Sequence, residues 1–274
     1  MEPSSDRSVC IQTPPVETFR IGSVPYLNAI PLTAGMEHQV VLAPPSQLAG
    51  MLQHEMLDAA LVSIIEPLLN PGYLILDGVA VASDGPVLSV YLATKVPLES
   101  IKVVHCDPAS LTSLNLLRVL LAARGLTPEF RPLQDYQGAM GLDSVLLIGD
   151  PAIAFRQQNP PHQLWDLGQA WQELTGLPFV YAVWAIRESQ VQTDLLKKLW
   201  DAKQLGMKQL DTLVAKDPRF DLSFRKSYVG SAIHYDLGEK EKKGVTTFVD
   251  QLRNLVDGPI FDPRFVQAST HGDR

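Results

Sequence analysis

Apolar positions along the chain fall into two rhythms. Short continuous runs at 19–24, 40–43, 58–64, 87–94, 101–105, 144–149 and 179–186 have the length and aliphatic character of buried strands. Between and after them, apolar residues recur at helical spacing. Leu48, Met51, Leu52 and Met56 mark one helix, with Ser46 placed as its N-cap. Another follows residue 110 and ends near Arg124-Gly125, where the glycine can cap it. Leu195, Leu196, Leu199 and Trp200 give the apolar face of a segment over 193–215, and a last helix covers 238–255. The opening order of strand, helix, strand, helix, strand favours a parallel sheet covered by helices.

The runs at 87–94 and 179–186 are placed to cross from one lobe to another and back. They divide the chain into a discontinuous lobe of residues 18–95 plus 186–265 and a continuous lobe of residues 96–185. A ligand is expected in the cleft between them, at the carboxyl ends of the strands.

Composition narrows the functional classes. Of 274 residues, 46% are hydrophobic and 19% charged, a globular balance. The formal charge of −7 argues against nucleic acid, whose phosphates need a basic face. An anionic ligand would therefore need a local positive potential inside an acidic chain. Cys10 and Cys106 lie far apart, with neither metal-type spacing nor a disulfide framework. No apolar run is long enough to span a bilayer. The opening MEPSSDRSVCIQTPPVETF lacks the basic flank and apolar core of an export signal, so a cytoplasmic location is expected.

Four loops carry polar residues where an apolar strand ends. In Pro25-Tyr26-Leu27-Asn28, the asparagine reads locally as a helix N-cap, and alternatively as an amide that can both donate to and accept from a ligand. Ser83-Asp84-Gly85-Pro86 reads as an ordinary turn whose glycine would also allow a ligand close to the backbone. The segment 107–113 is the most informative. Ser110, Thr112 and Ser113 crowd one helix start, where free N–H groups and the helix dipole favour an anion without any lysine. Gly149-Asp150-Pro151 ends a strand at another helix start, with Asp150 at or near the cap. Trp171 and Trp184 are either core or an apolar wall beside the cleft. Phosphate-cradling, nucleophile-elbow and metal-ligand motifs are absent from the sequence.

Several blocks recur together in order: Gly22-Ser23-Val24-Pro25-Tyr26-Leu27-Asn28, Pro45-Ser46-Gln47-Leu48-Ala49, Asp58-Ala59-Ala60-Leu61-Val62, and Ala82-Ser83-Asp84-Gly85-Pro86-Val87-Leu88-Ser89-Val90. Ser110-Leu111-Thr112-Ser113, Ile148-Gly149-Asp150-Pro151-Ala152, Thr175-Gly176-Leu177-Pro178-Phe179 and Ile233-His234-Tyr235-Asp236-Leu237-Gly238 continue the series. In order and spacing, from Arg20 to Leu255, they resemble the chorismate dehydratase family of the futalosine route to menaquinone. Pro25 departs from the serine expected there.

The resemblance implies an α/β, two-lobed periplasmic-binding-protein-like (type II) fold with mixed sheets and a cleft between lobes. It implies conversion of chorismate to 3-[(1-carboxyvinyl)oxy]benzoate and water, with no cofactor and no metal. Asn28 would stand near the reacting carbon or the departing hydroxyl. Tyr26, Ser83, Asp84, Gly85, Ser110, Thr112, Ser113, Gly149 and Asp150 would bind the substrate. The base is left open among Asp84, Asp150 and the substrate's own enolpyruvyl carboxylate. Chorismate is the implied partner, without nucleic acid or membrane, and a homodimer is left open. Two rivals remain: a non-catalytic carboxylate-binding protein on the same fold, and the sister enzyme that makes dihydroxynaphthoate. Tyr26-Leu27-Asn28 speaks against the latter.

Overall fold

The computed structural model describes residues 19–107 and 111–268. Cys10 and Ser110 lie outside the described residues. The strands are β1 (Ile21–Ser23), β2 (Val40–Leu42), β3 (Ala59–Ser63), β4 (Tyr73–Ser83), β5 (Val90–Thr94), β6 (Val103–Cys106), β7 (Glu129–Pro132), β8 (Ser144–Ile148), β9 (Gln163–Asp166), β10 (Phe179–Arg187) and β11 (Phe265–Val266). They build two mixed sheets, ordered β11-β4-β10-β3-β1-β2 and β7-β6-β8-β5-β9. In the first, β1 runs parallel to β2 and β3, while β10 is antiparallel to β3 and β4. In the second, β6 runs parallel to β7 and β8, while β5 is antiparallel to β8 and β9.

The helices are α1 (Pro45–Gln53), α2 (Ile65–Leu69), α3 (Leu111–Ala122), α4 (Gly149–Gln157), α5 (Leu167–Thr175), α6 (Thr193–Lys208), α7 (Leu210–Lys216), α8 (Leu222–Ser227) and α9 (Glu239–Leu252). Ser46 does not cap α1: the cap position is Pro44 and no side chain bonds there. Proline fits the first helical turn because its missing N–H would be unpaired anyway. No helix among the described residues is long and apolar enough to cross a membrane.

The chain leaves the first sheet after β4, enters the second at β5, and returns through α5 to β10. Hydrogen bonding thus puts residues 90–94 in the second sheet and residues 179–185 in the first. The expected lobe limits at 95 and 186 put both strands the other way round. An apolar run marks a strand as buried without naming the strand it pairs with. Trp171 and Trp184 are fully buried core residues, not a cleft wall. Trp171 meets Phe179 and Phe248 edge-on at 5.3 and 5.9 Å, and its Nε1 donates to the Pro178 carbonyl at 3.2 Å. The ring therefore buries its area and satisfies its single donor in one place.

Candidate active site

Strand ends from both sheets converge on one cavity, with about 670 Å³ of unfilled space including its mouth. Its place between the two sheets, where strands end, is where small-molecule sites commonly lie in such folds. The first sheet contributes Tyr26 and Asn28 after β1, Ser63 at the end of β3, and Tyr181 on β10. The second contributes Ser89 ahead of β5, Thr112 and Ser113 in the first turn of α3, and Gly149 as the first residue of α4, directly after β8. Leu61, Val81, Val90 and Ile148 supply apolar surface between them. Among the described lining residues there is no lysine, arginine, histidine, aspartate or glutamate.

The polar groups are neutral donors held in place by neighbours. Residues Leu27–Leu32 form a 3₁₀ turn whose cap position is Tyr26, with no side-chain cap bond. Asn28 therefore does not cap a helix, and it lines the cavity. Thr112 Oγ1 pairs with Ser63 Oγ across the cleft and lies 3.4 Å from the Tyr181 carbonyl. Thr112 and Ser113 are buried at the start of a 12-residue helix, where the N–H groups of the first turn lack helical acceptors. Burial pushes the Tyr26 phenol up to about 12, with Asp107 and Asp150 adding to the shift. Tyr26 is thus a neutral hydroxyl at ordinary pH, its ring 3.5 Å from where a Cβ on Gly149 would stand.

Asp150 takes a different part from the one expected. It follows the cap position Ile148 by two residues and does not line the cavity. Its Oδ1 accepts from the Leu27 N–H at 3.3 Å and its Oδ2 from Arg219 Nη1 at 2.7 Å. The same Arg219 Nη1 donates to the Pro25 carbonyl at 2.7 Å, and Nη2 to Asp217 at 2.6 Å. A carboxylate beside an apolar cavity needs such partners, and here they tie α4 to the loop that carries Tyr26 and Asn28.

The turn after β4 also works from behind the cavity. Ser83 Oγ donates to the Gly85 carbonyl at 3.0 Å and lies 3.1 Å from the Tyr181 hydroxyl. Asp84 is exposed, and neither Asp84 nor Gly85 lines the cavity. Gly168 makes this packing possible: a Cβ there would stand 2.6 Å from the Gly85 carbonyl and from the Tyr181 hydroxyl. Asp166 caps α5 by accepting from Gly168 and Gln169, and also accepts from the N–H groups of Val87 and Leu88. Those bonds hold Leu88 at φ +62°, a left-handed position that leucine rarely takes. Val87 and Ser89, on either side, face the cavity.

Of the expected residues, Tyr26, Asn28, Thr112, Ser113 and Gly149 are therefore gathered at the cavity. Ser83, Asp84, Gly85 and Asp150 are not. Ser63, Ser89 and Tyr181 line it without having been singled out. Ser63 had a readable cue as the polar residue closing an apolar strand. Tyr181 lay inside an apolar strand and gave none.

Similarity to known proteins agrees with this geometry. The chain is 30% identical over 272 residues to a chorismate dehydratase of Thermus thermophilus, covering 89% of this chain and 98% of that protein. Its fold matches protein AF1704 of Archaeoglobus fulgidus with a TM-score of 0.71 at 16% identity, covering 86% and 97% of the two chains. It also matches the periplasmic aliphatic sulphonate binding protein SsuA of Escherichia coli, with a TM-score of 0.59 at 16% identity, covering 93% and 96%. The fold is thus periplasmic-binding-protein-like, and with the family described as menaquinone biosynthesis matching residues 19–254, this chain belongs to that family.

Proposed function

We infer that this chain is a chorismate dehydratase, a carbon–oxygen lyase that converts chorismate to 3-[(1-carboxyvinyl)oxy]benzoate and water. The observation that carries the reading is a cleft lined by hydroxyls and one amide, with no charged side chain among its described lining residues. Such a site suits a dianion that needs orientation and charge delocalisation more than strong acid or base. Family membership and the Thermus thermophilus relative support the same conclusion.

The ring proton beside the enolpyruvyl ether is vinylogously acidic, because the ring carboxylate is conjugated to it. Its C–H electron pair forms the new ring double bond as the neighbouring C–O bond breaks. The departing hydroxide takes up a proton to leave as water, and the ring becomes aromatic. Electrons and atoms balance within the substrate, so no cofactor is called for. The α3 start, with Thr112 and Ser113, holds a carboxylate, and Asn28 donates where charge develops or hydroxide departs. The enolpyruvyl carboxylate of the substrate is the base. Asp150 is paired with Arg219, and Asp84 is exposed. The cytoplasm is the proposed location and the futalosine route the proposed pathway.

Purified protein incubated with chorismate in the presence of a chelator should yield a product lighter by one water, read by mass spectrometry. Chorismate that survives intact, while still binding by calorimetry, would make the chain a carboxylate-binding protein. Turnover abolished by the chelator would sink the metal-free mechanism.

A further inference from the structure

Two stretches of chain cross between the sheets, and one carboxylate holds both. Residues 84–89 lead from β4 in the first sheet to β5 in the second, and α5 leads from β9 back to β10. Asp166 ends β9 opposite Tyr91 of β5, which sets it beside the first crossing and at the start of the second. Its Oδ1 accepts from the N–H groups of Gly168 at 3.0 Å, Gln169 at 3.1 Å and Val87 at 3.0 Å. Its Oδ2 accepts from the Leu88 N–H at 2.9 Å. Capping α5 uses only the Gly168 and Gln169 donors. The other two belong to the first crossing, and bonds to a charged acceptor are the strong kind. Leu88 stands there at φ +62°, between the cavity residues Val87 and Ser89. A leucine is disfavoured in that region, because its Cβ crowds the backbone. Ser89 in turn gives its carbonyl to the Gly149 N–H at 2.8 Å, and its Oγ accepts from the Tyr228 hydroxyl at 2.8 Å. Within the described residues its own proton meets the Val87 carbonyl at a long 3.5 Å, so a ligand oxygen is the better acceptor.

We propose that Asp166 is a positioning residue, whose carboxylate clamps the two crossings together and, by holding Leu88 in the left-handed region, fixes Val87 and Ser89 at the cavity. A carboxylate suits the task because its two oxygens serve four donors, whereas an amide offers one oxygen. The crossings are also where a two-lobed fold absorbs movement of one lobe against the other. With both tied to one side chain, a shift in the first crossing is felt at the start of α5, and neither turns alone. Ser83, whose Oγ donates to the Gly85 carbonyl, and Gly168, with no room for a Cβ, tighten the same junction. Asp166 itself does not line the cavity, so it acts through Leu88 and its neighbours and not on the ligand.

The inference rests on the cavity being the dehydratase site, and its test separates the two. Asp166→Asn keeps the side-chain shape. Its amide oxygen takes the place of Oδ1 and keeps the Val87, Gly168 and Gln169 donors, which leaves its NH₂ facing the Leu88 N–H. The α5 cap survives, and the hold on Leu88 is lost. The value of kcat/KM for chorismate should fall about tenfold. In a Leu88→Gly background the same substitution should cost about twofold or less, because glycine takes positive φ without help from the carboxylate. Equal fold-losses in both backgrounds overturn the inference, as does full activity in Asp166→Asn. Leu88→Val loads the same position with the carboxylate intact, since a β-branched residue fits the left-handed region poorly. It should also lower kcat/KM about tenfold. Full activity there overturns the inference even if Asp166→Asn does not fold. A readout independent of turnover is the backbone ¹³C shifts of Leu88 and Ser89 in the free protein. In the wild type Leu88 should carry left-handed values, and in Asp166→Asn both residues should move. Unmoved shifts sink the positioning role even if chorismate is turned over. Moved shifts in a protein that leaves chorismate intact sustain the positioning role and sink the dehydratase reading instead.

Discussion

Two helix starts face each other's work across the second sheet: the start of α3, after β6, and the turn from β8 into α4. In sequence they look alike, each placing polar residues just where an apolar strand ends. In the structure they diverge. Thr112 and Ser113 present hydroxyls to the cavity, whereas Asp150 turns away and engages Leu27 and Arg219. Ile148 and Gly149 of that turn stay at the cavity, Gly149 at φ +58°. The difference follows from charge. A carboxylate beside an apolar cleft costs free energy until a cation and an N–H satisfy it, and it repels an anionic ligand. Hydroxyls carry no such penalty, so they are free to serve one.

The largest expected effect separates the two turns directly. Thr112→Ala should weaken binding of the aromatic product about ten- to a hundredfold, the worth of a hydrogen bond to a charged group of about 1.5–3 kcal/mol. Calorimetric titration measures the affinity, and the unliganded melting temperature should hardly move. Unchanged affinity with a lowered melting temperature would make the Thr112 to Ser63 contact architectural, and the two turns equivalent after all.

Asp150→Ala should do the reverse. It leaves the Leu27 N–H and one Arg219 donor without their acceptor, and Asp217 still holds the guanidinium. Because the Arg219 side chain is 31% exposed, water offsets part of the loss, leaving about 1–2 kcal/mol of stability. Thermal unfolding should show the drop, with turnover at saturating chorismate within a few-fold of the wild type. Turnover abolished without a change in stability would put the carboxylate into the chemistry.

Gly149→Ala tests the backbone half of the same turn. The new Cβ would stand 3.5 Å from the Tyr26 ring, an ordinary contact, so space is not the issue. The left-handed φ is, and it should cost about 1 kcal/mol in thermal unfolding. A neutral result would mean that the turn relaxes to negative φ without disturbing Tyr26.

How much of this was legible follows the same division. Periodicity located the buried strands that end at the cavity, and clustered hydroxyls marked the α3 start. The strand β4 was not legible, because Asp77-Gly78 interrupts its apolar run. Gly78 sits at φ +75°, with Trp200 2.6 Å from where a Cβ would stand, so the packing that favours glycine there comes from a neighbour far along the chain. The engagement of Asp150 was hidden for a like reason: Arg219 lies 69 residues on, inside a segment with no motif of its own.

The smallest effect, and the finest test of the contrast, is the pH dependence that Asp150 imposes. Burial, the largest influence, raises its carboxyl above the ordinary range, and Arg219 and the Leu27 N–H only partly reverse this. The folded protein therefore holds this proton more tightly than the unfolded chain does. The stability contributed by protonation is fully present below the unfolded value of about 3.9 and is lost as pH rises through the folded one. Asp150→Asn cannot titrate. The melting temperature of the wild type minus that of Asp150→Asn should accordingly fall as pH rises through that window, then level off. The same difference taken against Thr112→Ala should stay flat, because no hydroxyl titrates there. A wild-type advantage that grows with pH would mean that the Arg219 pair outweighs burial. The α4 turn would then be held by its charge, and not merely reconciled to it.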